Sequence, residues 1–187
     1  TCLCVADCTS GALAGTGVPS KFPAAESAGG GSYIVEFVLH VVDDWGYRDV
    51  VLHTDGEPSI VALVQKVEVK RSVGRTLLEQ GPRYSHQSQG QAEQGCKALE
   101  GQVRTFLHFL GERTGLEFGP SHPITSWAVR HSAFVLTALR VLNTGRIPHQ
   151  ILKGRLYRGE LLCLGEMAWA RDPTPLMGQS KLDARWT

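Results

Sequence analysis

The spacing of apolar and polar residues predicts four strands in the first 80 residues of the chain. Residues Cys2 to Asp7 predict a buried strand that ends in a carboxylate, and the small residues from Ala12 to Val18 predict a weaker strand. A second long, buried strand is predicted from Asp49 to Thr54, with Asp55 at its carboxyl end. Arg75 to Leu78 predict a short edge strand. Two carboxylates therefore stand where predicted strands end.

Helices are predicted where apolar residues recur every three or four positions. Ser32 is a candidate N-cap for a first helix, and Gly46 ends that helix. Pro58 opens a second helix, which closes with Lys70 and Arg71. Both helices lie between predicted strands, as in α/β proteins.

The stretch from Pro82 to Leu110 predicts a polar loop followed by an amphipathic helix. The apolar positions of this helix are separated by four, three, four, three and four residues. This spacing places them on one face of the helix, which we expect to be buried. We expect Glu93 in the first turn, beside that face, in a row with Gln89 and Lys97 at i, i+4 spacing. The apolar positions are Ala92, Cys96, Leu99, Val103, Phe106 and Leu110.

Three further segments follow. A fourth helix is predicted from Pro123 to Leu142, and because it is apolar almost all round, we expect it to be buried. Residues 147–152 predict a short turn or helix, and residues 160–170 predict a pair of strands outside the main core. The order of the elements predicts a three-layer α/β fold with helices packed on a mixed sheet.

Composition narrows the class of protein. The chain has 187 residues, of which 42% are hydrophobic and 20% are charged, as is typical of a globular protein. Its longest apolar run is far short of the roughly 20 residues that a membrane span needs. A net charge of +1 argues against a surface that binds nucleic acid throughout. A local basic run is ordinarily a solvated face, and a role in tracking nucleic-acid phosphates stays open; the run comprises Arg140, Arg146, Lys153, Arg155 and Arg158.

Cysteine usage and the start of the chain add two expectations. Five cysteines, without spaced CxxC pairs, argue against a disulfide framework and favour a reducing compartment. We interpret Cys2, Cys4 and Cys8 as residues of an apolar strand rather than zinc ligands, because no partner pair follows downstream. The chain begins at Thr1 without an initiator Met, so we expect a piece of a longer polypeptide.

The candidate site consists of three carboxylates, Asp7, Asp55 and Glu93. If the two long strands are neighbours in one sheet, both aspartates emerge at the same edge, and the third helix could bring Glu93 near them. Clustered carboxylates repel one another, and a hard divalent cation such as Mg²⁺ or Mn²⁺ removes that repulsion. Two such ions about 4 Å apart would activate a water or a 3′-hydroxyl and stabilise the leaving oxygen of a phosphodiester.

Each carboxylate also has an ordinary structural interpretation. Asp7 could start a turn through Ser10, and Asp55 could cap the helix ahead of Pro58. Glu93 could be stabilised by the helix dipole and by Lys97. Spacing by itself leaves both interpretations open.

The residues around two of these acids resemble the catalytic core of retroviral and retrotransposon integrases. His53-Thr54-Asp55-Gly56 is similar to the strand that ends His-Thr-Asp in that family. Residues 84–93 (Tyr-Ser-His-Gln-Ser-Gln-Gly-Gln-Ala-Glu) are similar to the loop that opens the helix carrying the third acid. Thirty-seven residues (93 − 55 − 1) separate Asp55 from Glu93, close to the family's usual spacing. One departure is Glu57, since many relatives have an amide and a glycine directly after this aspartate.

Segments further along the chain resemble the copia-type Pol polyprotein downstream of its integrase core. They are residues 127–131 (Trp-Ala-Val-Arg-His), 145–148 (Gly-Arg-Ile-Pro), 154–155 (Gly-Arg) and 165–166 (Gly-Glu). Residues 181–186 resemble the start of the basic segment that follows there. The resemblance implies a ribonuclease H-like three-layer fold with a mixed central sheet, formed by residues 1–150. Residues 151–187 would be a truncated C-terminal extension.

The resemblance also implies a function. An integrase-type polynucleotidyl transferase processes element DNA ends and joins them to target DNA, with two Mg²⁺ or Mn²⁺ ions held here by Asp7, Asp55 and Glu93. Tyr84, Gln89 and Lys97 would contact DNA. The implied partners are element DNA, target DNA and further copies of the chain. No association with a membrane is implied. The implied location during integration is the nucleus. Before integration the protein would be in a cytoplasmic particle, and it would not be secreted.

Two other interpretations remain open at this point. The chain could be a catalytically decayed or truncated retroelement fragment that keeps the fold and at most binds nucleic acid weakly. It could also be a related nuclease that hydrolyses nucleic acid without joining it.

Overall fold

The computed structural model describes residues 1–18, 30–80 and 86–168. The elements follow the predicted order as far as the short helix expected at residues 147–152. They are β1 (Cys2–Ala6), β2 (Leu13–Gly17), α1 (Gly30–Trp45), β3 (Val50–Thr54), α2 (Pro58–Lys70), β4 (Thr76–Gln80), α3 (His86–Thr114), α4 (Pro123–Leu139) and α5 (Pro148–Lys153).

The strands form two small sheets in these ranges. β1 pairs with β2 in antiparallel register, with Cys4 opposite Gly15, and β3 pairs with β4 in parallel register, with Leu52 opposite Leu78. The single mixed central sheet expected from the resemblance is therefore not formed within the described ranges. β1 forms its ladder with β2 and none with β3, although residues of both β1 and β3 pack against one apolar cluster.

Those side chains share one core. Leu3 and Val5 of β1 and Val50 and Leu52 of β3 pack against the same cluster, which comprises Val35, Val38, Val42, Leu63 and Val67 of α1 and α2. Alternate residues of a strand point to opposite faces, so the neighbours of Leu3 and Val5 along β1 face the other way. The two long strands are thus joined by burial of apolar surface rather than by a hydrogen-bonded ladder.

The opposite face of β1 packs against the later helices. Cys4 and Ala6 contact a second cluster, formed by Leu13, Leu99, Val129 and Ala133 from β2, α3 and α4. Helices α1 and α2 therefore cover one side of the strands, and α3 and α4 cover the other. The mixed α/β arrangement with helices on both sides agrees with the predicted layers, although the sheet layer is divided.

Several predicted boundaries need correction. α1 begins at Gly30, so Ser32 lies in its first turn and is not its N-cap, whereas Gly46 ends the helix with a positive φ of 82° as expected. β3 is not buried throughout, because its outward-facing Val51 is 56% exposed. α3 begins at His86, which places Glu93 two turns inside the helix instead of in its first turn.

The later segments also differ from their predictions. α4 is not buried all round, since Trp127 is 63% exposed and its buried face is formed by small residues such as Ala128 and Ala133. No strand occurs between residues 160 and 168, where Leu164 instead packs beside Leu110. α5, by contrast, agrees with the short turn or helix predicted at residues 147–152. Across residues 1–18, 30–80 and 86–168, every helix is too short or too polar to serve as a transmembrane span.

Two glycines of α3 give a matched test of how closely this helix packs. A Cβ at Gly95 would lie 2.8 Å from Leu13 Cδ2, whereas a Cβ at Gly101 would meet nothing within 4 Å. We expect Gly101→Ala to stabilise the fold by about 0.5–1 kcal/mol through helix propensity. Gly95→Ala gains the same propensity but overpacks the core, so we expect a net loss of about 1–2 kcal/mol. Urea unfolding of both variants measures this, and shifts of equal sign would contradict it.

Candidate functional site

Asp7 follows β1 and organises a tight turn. Its Oδ1 accepts a hydrogen bond from the Thr9 amide at 3.0 Å, and its Oδ2 accepts one from the Ser10 amide at 3.1 Å. The Ser10 hydroxyl also donates to Oδ2, and Ser10 is completely buried. The Tyr47 hydroxyl donates to the same oxygen at 2.7 Å. Both carboxylate oxygens therefore have protein donors, as in the turn that the sequence allows at this position.

Tyr47 was not identified from the sequence. It follows Gly46 at the end of α1, and its only link to Asp7 is through the folded structure. The buried Arg71 side chain holds this loop by donating to the carbonyls of Tyr47 at 2.7 Å and Arg48 at 2.8 Å. Burial, together with the hydrogen bond to Asp7 and its charge, raises the pKa of Tyr47 to about 12. Tyr47 therefore remains a protonated donor at neutral pH.

Asp55 lies directly after β3 and is exposed. Its Oδ1 accepts a hydrogen bond from the Glu57 amide at 3.0 Å, and Gly56 between them has a positive φ of 79°. The N-cap of α2 is Glu57, so the interpretation of Asp55 as that cap is wrong. Asp55 shapes the turn that leads into α2 and presents its carboxylate at the carboxyl end of the strand.

Glu93 and Lys97 are exposed residues of α3, one turn apart. Because α3 begins two turns before Glu93, the helix dipole at the N-terminus gives this carboxylate little stabilisation. Gln89 lies in the first turn of the helix, where the backbone alone is described, and Tyr84 lies outside the described residues. The predicted roles of these four residues toward DNA or metal remain predictions.

The three carboxylates are not gathered into one group. Within the described residues, no set of three or more His, Cys, Asp and Glu side chains is arranged to hold a metal ion. The donor types suit a hard divalent cation, since all three residues offer carboxylate oxygens. Asp7, however, would have to exchange at least one of its hydrogen bonds from Ser10 or Tyr47 for a metal bond. The metal role of Asp7, Asp55 and Glu93 remains a prediction.

The basic run divides into structural and exposed members. Arg140 donates to the carbonyl of Gly11 at 2.8 Å and so supports the turn after Asp7. Lys153 forms an ion pair of 3.6 Å with Asp44 and bonds the Asp44 carbonyl. Lys153 is nevertheless exposed, as are Arg146, Arg155 and Arg158, whereas Arg140 is half-buried. The expected solvated face therefore describes four of the five residues.

Comparison with known proteins identifies structures that are similar in fold to this chain. No protein-family model matches the chain, and no curated protein matches it. The structure is similar to the catalytic core domain of BIV integrase, with a TM-score of 0.50 and 15% sequence identity over 82% of this chain and 85% of that chain. It is also similar to a chain of the simian T-cell lymphotropic virus intasome, solved in complex with PP2A regulatory subunit B56 gamma.

The second similarity has a TM-score of 0.50 and 13% identity, and it covers all of this chain but only 60% of the intasome chain. At such identities the likeness is one of fold. The chain thus has a mixed α/β fold like that of integrase catalytic cores, which are ribonuclease H-like, with a sheet reduced to two pairs of strands.

Proposed function

We propose that the chain is the core of an integrase-type polynucleotidyl transferase from a copia-type retroelement Pol polyprotein, which processes element DNA ends and joins them to target DNA. The observation that carries this proposal is the coincidence of sequence and fold. The His-Thr-Asp stretch places Asp55 directly after β3, and Glu93 lies on α3, in a fold similar to integrase cores. The setting for this activity is the nucleus, with DNA and further copies of the chain as partners.

In the proposed DNA-joining reaction, the metal-binding and DNA-binding residues have different roles. Divalent metal ions, when bound by Asp7, Asp55 and Glu93, supply activation of the attacking oxygen and neutralisation of the phosphate charge. Asp55 and Glu93 are exposed carboxylates on separate elements and offer oxygen ligands to solvent. Lys97, one turn after Glu93, gives a positive charge that suits a DNA phosphate. Tyr84 and Gln89 would contact the DNA end, as the resemblance implies.

A second function is favoured by the state of Asp7. Its two oxygens accept four hydrogen bonds from Thr9, Ser10 and Tyr47, which is the pattern of a structural aspartate. In that case the chain is a decayed or truncated element fragment that keeps the fold and binds nucleic acid weakly. Calorimetric titration with Mn²⁺ separates the two proposals, because an intact site takes up the ion and a decayed one does not.

The activity test uses the purified chain and a branched DNA in which a 3′-hydroxyl lies next to the branch phosphodiester. Reversal of joining on this substrate needs no prior processing of an element end. We expect resealed target strand and released end in the presence of Mn²⁺ or Mg²⁺, and neither product when the metal is chelated. Cleavage without resealed strand would indicate a hydrolytic nuclease. Uptake of Mn²⁺ without any DNA product would also contradict the transferase proposal.

A further inference from the structure

Three of the five cysteines lie where β1 meets α3. Leu3 packs against the α1 and α2 cluster, so its neighbours Cys2 and Cys4 lie on the opposite face of β1. Cys4 packs against the buried cluster that contains Leu99 of α3. Cys96 precedes Leu99 by three residues, about one helical turn, on the same helix. A thiol of the strand and a thiol of the helix therefore lie on facing surfaces.

The two backbones come close at this point. A Cβ at Gly95 would lie 2.8 Å from Leu13 Cδ2 and 3.4 Å from the Cβ of Ala6. Gly95 is the residue before Cys96, and Ala6 shares its strand face with Cys4. Disulfides require such an approach, with Cα atoms about 4.4–6.8 Å apart. The absence of a side chain at Gly95 thus lets α3 lie near enough to β1 for two thiols to meet.

The two thiols interact directly and unequally. The proximity of the Cys4 thiol lowers the pKa of Cys96, against the opposing effects of burial, Glu100 and Glu93. The proximity of Cys96, followed by burial, raises the pKa of Cys4. A thiolate is the reactive form of cysteine, so we expect Cys96 to be the attacking thiol of the pair.

We propose that Cys4 and Cys96 form a reversible disulfide when the protein meets a peroxide, tying β1 to α3. The Cys96 thiolate attacks one peroxide oxygen, the O–O bond breaks, and hydroxide leaves, giving a sulfenic acid. The Cys4 sulfur then attacks the Cys96 sulfur, and the sulfenic oxygen departs as water with the Cys4 proton. Two thiols lose two electrons to one peroxide, which ends as two waters. A dithiol reductant reverses the bond by thiol–disulfide exchange.

The other cysteines are the possible competitors of the bond between Cys4 and Cys96. Cys2 is exposed, lies on the same strand face as Cys4, and is the competing partner for Cys96. Cys8 and Cys163 are also exposed. A transient bond of this kind suits a reducing compartment.

A consequence for DNA joining rests on the proposed function. Cys96 lies one turn after Glu93, and Cys4 lies three residues before Asp7. The disulfide would fix the two elements that carry these carboxylates relative to each other. Because the bond itself is detected by thiol chemistry, without DNA, failure of the disulfide proposal is distinguishable from failure of the transferase proposal.

The test is peroxide oxidation of the reduced full chain, followed by alkylation and mass spectrometry. We expect two thiols per chain to become unreactive, a peptide containing Cys4 to be linked to the peptide containing Cys96, and dithiothreitol to restore both. Cys2 and Cys4 are too close in sequence to separate by most digests, so Cys2→Ser is the deciding variant and should keep the link. Cys4→Ser and Cys96→Ser should lose it, and Cys163→Ser should keep it.

Folding of the serine variants does not limit the test, because the link in the wild-type chain is itself the primary observation. The oxidised chain should also melt at a higher temperature than the reduced chain, since the bond restricts the unfolded state. Loss of the link in Cys2→Ser would reassign the pair and overturn the proposal. Equal loss of all thiols without an internal link, or links only between chains, would overturn it as well.

Discussion

Asp55→Asn and Glu93→Gln are each expected to lower Mn²⁺-dependent DNA joining by about 100-fold or more, the order found when one charge-stabilising group is removed from an active site. Each substitution keeps the side-chain shape and removes the negative charge that a divalent cation requires. Both residues are exposed, so we expect the free energy of unfolding to change by no more than about 0.5 kcal/mol. Rates of resealed-strand formation and urea unfolding curves measure the two effects separately.

Two variants serve as matched controls for this prediction. Glu112→Gln makes the same change near the other end of α3, and Asp43→Asn makes the same change on an exposed residue of α1. Both should retain joining activity within a factor of about two, since surface substitutions away from a site have small effects. Full activity in either Asp55→Asn or Glu93→Gln would show that the mechanism has been assigned to the wrong acids.

The order of the elements could be predicted because its signals are local. Apolar spacing identified the helices on both sides of the strands, and Gly46 and Pro58 fixed two boundaries that the structure confirms. The start of α3 was missed because the residues from His86 to Gln91 are polar and show no apolar face. The segment after residue 160 suggested strands because it is rich in apolar residues, yet Leu161 is 41% exposed there and the segment forms no strand.

The candidate site was predictable only in part, for a different reason. Asp55 and Glu93 were identified by short sequence stretches, and the structure places them at a strand end and on a helix. The turn after Asp7 is a local signal for the pairing of β1 with β2, but whether β1 also shares a ladder with the distant β3 depends on contacts across the whole chain. The hydrogen bond between Tyr47 and Asp7 joins residues 40 positions apart, beyond any sequence window.

Asp7→Ala is expected to destabilise the protein by about 2–4 kcal/mol, because it removes the acceptor of several hydrogen bonds at once. The Ser10 hydroxyl is fully buried and would lose its partner, and the Tyr47 hydroxyl would lose its acceptor in a partly buried position. The turn between β1 and β2 would also lose the side-chain bond to the Thr9 amide. Urea unfolding followed by circular dichroism measures the loss.

Two milder variants divide this effect into its parts. Asp7→Asn keeps one oxygen acceptor and the side-chain shape, so we expect a loss of about 1–2 kcal/mol. Tyr47→Phe removes a single donor and leaves the turn intact, for a loss of about 0.5–1.5 kcal/mol. A change below about 0.5 kcal/mol for Asp7→Ala would contradict a structural role for this carboxylate. If Asp7→Ala loses more stability than Asp7→Asn, as expected, inactivity of Asp7→Ala reflects an unfolded turn as well as any lost metal. The metal role of Asp7 must therefore be judged by Mn²⁺ uptake in the folded Asp7→Asn variant.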